Sequence, residues 1–283
     1  MVEVMASLLF RAALFLTLVA TGGFIVYIVA QNKTVYKWSY RILAAGFVFH
    51  TLFFIQRYYA LGVAPVLTLK AAFSFFAWAI IGAYLVLHLK FRLMVLGSFV
   101  SPLAAFLMII SSTLPTVETS IKPIFRSAWL AVHVGTIFVG NGIFAMTFVA
   151  AIMYLIQEYQ IKKKKFGTFY ARLPSLETLD SVNRYSLMYG FPFLTVGMIT
   201  GAIYAQCALG SYWRWDPKEV WSLVTWLFYA ALLHERLAVG WRGRRAAILA
   251  IAAFLVLIFT FVGASLWLSD YHSFKHLGTQ TGL

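Results

Sequence analysis

The sequence predicts an all-α, polytopic integral membrane bundle of about eight transmembrane helices, with both termini on the outer, periplasmic or lumenal, side. Three observations predict it. Of 283 residues, 62% are hydrophobic and only 11% are charged, too few polar groups to cover a surface in water. Apolar stretches of about 20 residues, the length that hydrocarbon roughly 30 Å thick requires, recur along the whole chain. Lys and Arg gather in alternate loops.

The spans run over about 7–30, 38–59, 65–89, 93–113, 125–157, 186–208, 217–238 and 246–268, with the clearest polar interruptions at 158–185 and 209–216. The first follows Glu3, contains Arg11 and lacks a small-residue cleavage site, so it reads as a retained helix rather than a signal peptide. One alternating set of loops holds fifteen Lys and Arg, including Lys33, Lys37, Lys162 to Lys165, Arg242, Arg244 and Arg245, against eight elsewhere. The richer set belongs on the cytoplasmic side, which sends both termini out. Lys162 to Lys165 read as a topology anchor at the lipid headgroups. The net charge of +14 would suit nucleic acid only as a basic face on a soluble domain, which this composition does not offer, so no nucleic-acid partner is expected. The lone Cys207 excludes an internal disulfide framework and any Cys-rich zinc or iron–sulfur site built from this chain. The chain reads as one membrane domain, 1–283, divisible into a four-helix part at 1–124 and a second part at 125–283.

The informative stretch lies at 210–226, Gly-Ser-Tyr-Trp-Arg-Trp-Asp-Pro-Lys-Glu-Val-Trp-Ser-Leu-Val-Thr-Trp. Four of the nine tryptophans, Trp213, Trp215, Trp221 and Trp226, fall within fourteen residues. An aromatic belt at the headgroups accounts for isolated residues such as Trp38 and Trp241, but not for this density combined with Asp, Pro, Lys and Glu. Asp216 stands where an N-cap is wanted, Pro217 at the first helical position and Glu219 at the third, the spacing of a capping box. That cap would hold Trp213 and Trp215 rigidly at the membrane surface.

The orientation brings His133, this loop and His272 to one outer face. Either histidine taken singly reads as a helix-end hydrogen-bonding residue. Taken with the loop, the set suits a planar, apolar, doubly anionic ligand, namely haem: tryptophan faces for the macrocycle, Arg214 and Lys218 for the propionates, and neutral imidazoles for the iron.

The run from Trp213 to Trp226, followed by Tyr229 and Leu233-His234, resembles the WWD domain of the CcsA/ResC family, the haem-handling membrane subunit of System II cytochrome c maturation. Leu130-Ala131-Val132-His133 and Tyr271-His272-Ser273-Phe274 resemble that family's two external histidine segments, with Phe274 in place of the usual Tyr. The Asp-Pro-Lys-Glu run is more similar to CcsA than to the shorter CcmC, and CcmF is roughly twice as long. The resemblance makes 125–283 the haem-handling core. It implies haem b, iron protoporphyrin IX, as a substrate in transit, with His133 and His272 as iron ligands and His234 as a third, membrane-embedded ligand whose partner comes from a second protein. The implied partners are a CcsB/ResB-like membrane protein, apocytochrome c and the lipid membrane, and the implied role is a subunit of a two-protein cytochrome c synthase in which no residue of this chain is a nucleophile. The expected location is a bacterial inner membrane, with a thylakoid as the alternative.

Two other readings differ in the acceptor. A haem exporter would release free haem, and a HemX-type assembly protein would need neither the full tryptophan run nor both outer histidines. His50 and His88 read as packing or interface residues, with partnership to His234 within the chain as the alternative; Pro102 and Pro192 read as kink sites, and Gly197 with Gly201 as a small-xxx-small packing contact.

Overall fold

A computed structural model describes residues 2–62, 66–116, 127–164 and 166–268. These residues form helices and short connections, with no strand among them. Helices α1 (Val2–Ala30), α2 (Lys33–Leu61), α3 (Leu69–Phe91) and α4 (Gly97–Thr113) precede the long α5 (Ala128–Lys162). A single short turn, α6 (Thr168–Arg172), leads into α7 (Leu176–Leu209). Then come α8 (Pro217–His234), continued by π-helical turns at Glu235–Val239, and α9 (Arg244–Ile258), continued likewise over Phe259–Leu268.

Six segments are long and apolar enough to cross a membrane: α1, α2, α3, α5, α7, and α9 taken with its continuation as far as Gly263. The other two predicted spans fall short for separate reasons. At 17 residues α4 is about 26 Å long. Helix α8 spends its 18 residues on Lys218, Glu219, two Trp, Tyr229 and His234 as well as on aliphatic side chains. The sixth predicted span is longer than expected, because α7 starts at Leu176, ten residues inside the stretch read as a polar interruption. Ser175 starts it by accepting from the Thr178 N–H (3.2 Å).

Helix α5 packs most extensively on α7, and α1 on α2. Glycine permits the closest approaches: a Cβ at Gly142 of α5 would lie 2.6 Å from the Ala79 backbone of α3, and one at Gly190 of α7 would lie 2.7 Å from the Phe144 ring. Phe144 itself stacks face to face on Tyr229 of α8, with centroids 3.6 Å apart and planes at 7°. Polar bonds tie α2 to α3, since His50 Nε2 meets Ser74 Oγ and Trp78 Nε1 donates to Thr51 Oγ1, each at 2.8 Å. His88 of α3 pairs with the Tyr36 hydroxyl (2.8 Å). Both histidines thus bridge helices.

At the end of the bundle that carries the basic loops, α5, α7, α8 and α9 are joined by charge. Glu158 pairs with Lys162 (2.8 Å) and Arg244 (3.4 Å). Arg236, its side chain only 1% exposed, pairs with Asp180 at 2.9 Å, and Asp180 Oδ1 also accepts the Gly243 N–H (3.0 Å). A buried guanidinium needs such a counter-ion, because desolvation costs several kcal/mol per ion. This clamp fixes one end of α7 against α8 and α9.

Candidate functional site

The loop at 210–216 enters α8 through the predicted cap. Asp216 has extended backbone (φ −60°, ψ 139°), and its Oδ1 accepts the Lys218 N–H at 2.9 Å. Glu219 Oε2 reaches back to accept the N–H groups of Arg214 (2.8 Å) and Asp216 (3.4 Å), which closes the capping box. Between those two amides Trp215 sits at φ +60°, a left-handed conformation that a bulky residue takes only under constraint. The consequence is an exposed indole: Trp215 is 74% exposed and meets Trp213 edge to face, with centroids 5.9 Å apart. The Trp213 Nε1 atom is buried and has no hydrogen-bond partner among the described residues. Arg214 is exposed beside them and Lys218 partly buried.

The two later tryptophans fasten α8 to its neighbours. Trp221 packs against Phe259 with centroids 4.5 Å apart. The Trp221 carbonyl also accepts the Thr225 and Thr260 hydroxyls (2.8 and 3.1 Å). Trp226 donates from Nε1 to Thr195 Oγ1 of α7 (3.0 Å) and lies against Phe191.

His133, in the second turn of α5, meets the same stretch of α7. Its Nδ1 lies 2.7 Å from the Gly197 carbonyl oxygen, which can only accept, so Nδ1 carries the proton. That assigns the lone pair of the neutral ring to Nε2. Gly201, one turn on, admits the imidazole: a Cβ there would stand 2.6 Å from both His133 Cε1 and Nδ1. Thr195 and Gly197 are two residues apart, about 3 Å of helix rise, so Trp226 and His133 reach α7 at one depth. At about 100° per residue they reach it on faces roughly 160° apart, with Leu194, Met198 and Ala205 between them. The imidazole and the tryptophan helix therefore meet nearly opposite faces of α7.

The other expected ligands are placed differently. His234 is the last residue of α8 and is exposed on the outside of the chain, well away from the loop end of that helix. His272 lies outside the described residues. Cys207 is exposed near the end of α7. The contributions of Gly197, Gly201 and Thr195 escape sequence reasoning, because a backbone carbonyl and an absent side chain carry no motif.

A family model described as cytochrome C assembly protein matches residues 66–272. The chain belongs to that family. It is 34% identical over 233 residues to the cytochrome c biogenesis protein CcsA of Chlamydomonas reinhardtii, covering 79% of this chain and 64% of that one. Identity to the CcsA of Prochlorococcus marinus (strain NATL2A) is 32% over 300 aligned positions, covering 95% of this chain and 93% of that one. The CcsA of Guillardia theta is 30% identical over 264 residues, covering 87% and 88%. The fold resembles the solved structure of the cytochrome c haem lyase CcmF with a TM-score of 0.68 and 17% identity, covering 93% of this chain and 47% of that one. The chain therefore spans about half the length of that structure. This member of the cytochrome c assembly family is thus an all-helical membrane protein, and helices α1 and α2 precede the residues its family model matches.

Proposed function

We propose that this assembly protein is the haem-handling subunit of the System II cytochrome c synthase. It carries haem b across the membrane and holds it at the outer tryptophan loop for attachment to the Cys-x-x-Cys-His segment of apocytochrome c. One observation carries the reading: His133 is tethered through Nδ1, which assigns its lone pair to Nε2, and it meets α7 at the depth where Trp226 of α8 does. Metal-ligating histidines are ordinarily held this way, by a second hydrogen bond that fixes tautomer and ring orientation.

His133 and His272 serve as the two axial ligands. Trp213, Trp215, Trp221 and Trp226 supply the apolar and aromatic surface, and the orphaned Trp213 N–H supports a ligand there, since a buried donor left unpaired costs about 1–3 kcal/mol. Arg214 and Lys218 meet the propionates, while Asp216 acts as the cap that fixes the loop. The bound haem supplies its two vinyl groups, across which the substrate's thiol S–H adds to form the thioether. His234, exposed at the far end of α8, is the intramembrane ligand that a CcsB/ResB-like protein completes. An imidazole facing lipid is costly, and a partner helix removes that cost.

The topology proposed is eight spans, with α4 and α8 completed by their flanking turns, and both termini outside, so that the clamp around Arg236 and Asp180 faces the cytoplasm with the basic loops. Residues 1–124 form the supporting four-helix part and 125–283 the haem-handling core. A bacterial inner membrane is the proposed location, with a thylakoid as the alternative.

The test is co-expression of this chain with a ResB-like partner and an apocytochrome c, with haem attachment read by peroxidase stain after denaturing electrophoresis. The expected result is covalent haem with the wild type, loss of it in His133→Ala and His272→Ala, and recovery with added imidazole. Passage of haem outward with no attachment would refute the synthase and leave an exporter.

A further inference from the structure

We infer that Gly197 and Gly201 are positioning residues for haem ligation, together forming a backbone socket on α7 that sets both the tautomer and the direction of the His133 ring. The inference rests on His133 being an axial ligand, and goes beyond it by assigning the residues that prepare the ligand. The Gly-x-x-x-Gly spacing reads in sequence as helix packing, and Gly197 does serve that end, since a Cβ there would stand 2.6 Å from Ile137 Cδ1 and Cγ1. At Gly201 the three nearest atoms to an added Cβ all belong to His133, at 2.6 Å for Cε1 and Nδ1 and 3.4 Å for Cγ.

The geometry makes the two glycines complementary. Gly201 leaves the volume the ring occupies, and Gly197, one turn before it, presents the carbonyl that takes the Nδ1 proton at 2.7 Å. The same carbonyl accepts the Thr200 hydroxyl at 3.0 Å, so it is held by a second donor. Because the acceptor is main-chain in a continuous helix, it cannot rotate away as a carboxylate could. Adding a methyl at 201 puts it inside the ring's van der Waals envelope. The imidazole must then swing off Gly197, which releases the Nδ1 proton and frees the ring to take the other tautomer, whose Nε2 is protonated and unable to bind iron. The substitution costs the helix nothing locally, since Ala is the better helix former.

The experiment uses the purified full chain in nanodiscs, labelled with 15N-histidine, and three variants: Gly201→Ala, Gly190→Ala and His133→Ala. Gly190→Ala is the steric control, because it intrudes on the Phe144 ring of the same α5–α7 interface at 2.7 Å and leaves His133 alone. Two readouts are taken: the His133 ring-nitrogen resonances without haem, assigned by their loss in His133→Ala, and the haem dissociation constant by titration. The expected result is an Nδ1-protonated ring in the wild type, a shift away from that form in Gly201→Ala with haem bound roughly 10- to 100-fold more weakly, and neither change in Gly190→Ala. An Nε2-protonated ring in the wild type overturns the socket even if Gly201→Ala fails to fold. So does a Gly201→Ala chain with wild-type resonances and affinity, or a Gly190→Ala chain equally impaired. If His133→Ala keeps the wild-type haem spectrum, the axial-ligand reading fails instead, while the resonances still decide whether the tether exists.

Discussion

Removing the Glu219 carboxylate should loosen the tryptophan loop without unfolding α8. The loop holds Trp215 at φ +60°, a conformation that costs a non-glycine residue roughly 1–2 kcal/mol. Opposing that cost are the Asp216 cap, about 1 kcal/mol, and the two amide bonds to Glu219 Oε2 at 2.8 and 3.4 Å. Those bonds are partly exposed, so together they contribute about 1–2 kcal/mol rather than the full value of buried charge-assisted bonds. The balance is close, and Glu219 decides it. Glu219→Ala should therefore raise the population of open loop by roughly 5- to 30-fold, the factor that one or two kcal/mol commands. Hydrogen–deuterium exchange of a peptide spanning 210–218 in detergent reads this directly, and its amides should exchange faster by that factor. Glu219→Gln keeps an acceptor oxygen and should show less than half of the effect. Equal exchange in Glu219→Ala and wild type would refute the reasoning, because Trp215 would then keep its conformation without the carboxylate.

Two further outcomes follow from the same bonds. Thr195→Val should leave the Trp226 N–H without an acceptor and cost about 1–3 kcal/mol in unfolding by sodium dodecyl sulfate, whereas Thr195→Ser should stay near wild type. Asp180→Asn should cost about 3–5 kcal/mol in the same assay by leaving the Arg236 guanidinium buried without its counter-ion, and Arg236→Met combined with Asp180→Asn should recover part of that loss.

What could be read in advance follows from the range of the interactions concerned. The cap at Asp216 and Glu219 was legible because all its atoms lie within six residues, and the amphipathic logic of a membrane chain made the long helices legible from hydropathy alone. The first ten residues of α7 were not. Glu177, Asp180, Asn183 and Arg184 give that segment a polar composition suggestive of a loop, yet Asp180 turns to Arg236, and Asn183 is buried with its Nδ2 on the Thr147 carbonyl (3.1 Å). Their partners lie 56 and 36 residues away, beyond any local pattern. His133 was legible as a candidate, but what orients it was not, since Gly197 contributes a carbonyl and Gly201 contributes room. The stretch 197–201 reads the same in sequence whether it packs two helices or seats an imidazole.

On the function proposed above, His133 and His272 hold one haem iron from opposite sides at the outer tryptophan loop. The most direct measurement is the low-temperature electron paramagnetic resonance spectrum of the purified, haem-loaded ferric chain, compared among wild type, His133→Ala and His272→Ala. Ligation by both histidines gives a low-spin bis-imidazole signal in the wild type, a high-spin signal in each variant and return of the low-spin form when imidazole is added. A low-spin signal unchanged in both variants would contradict it.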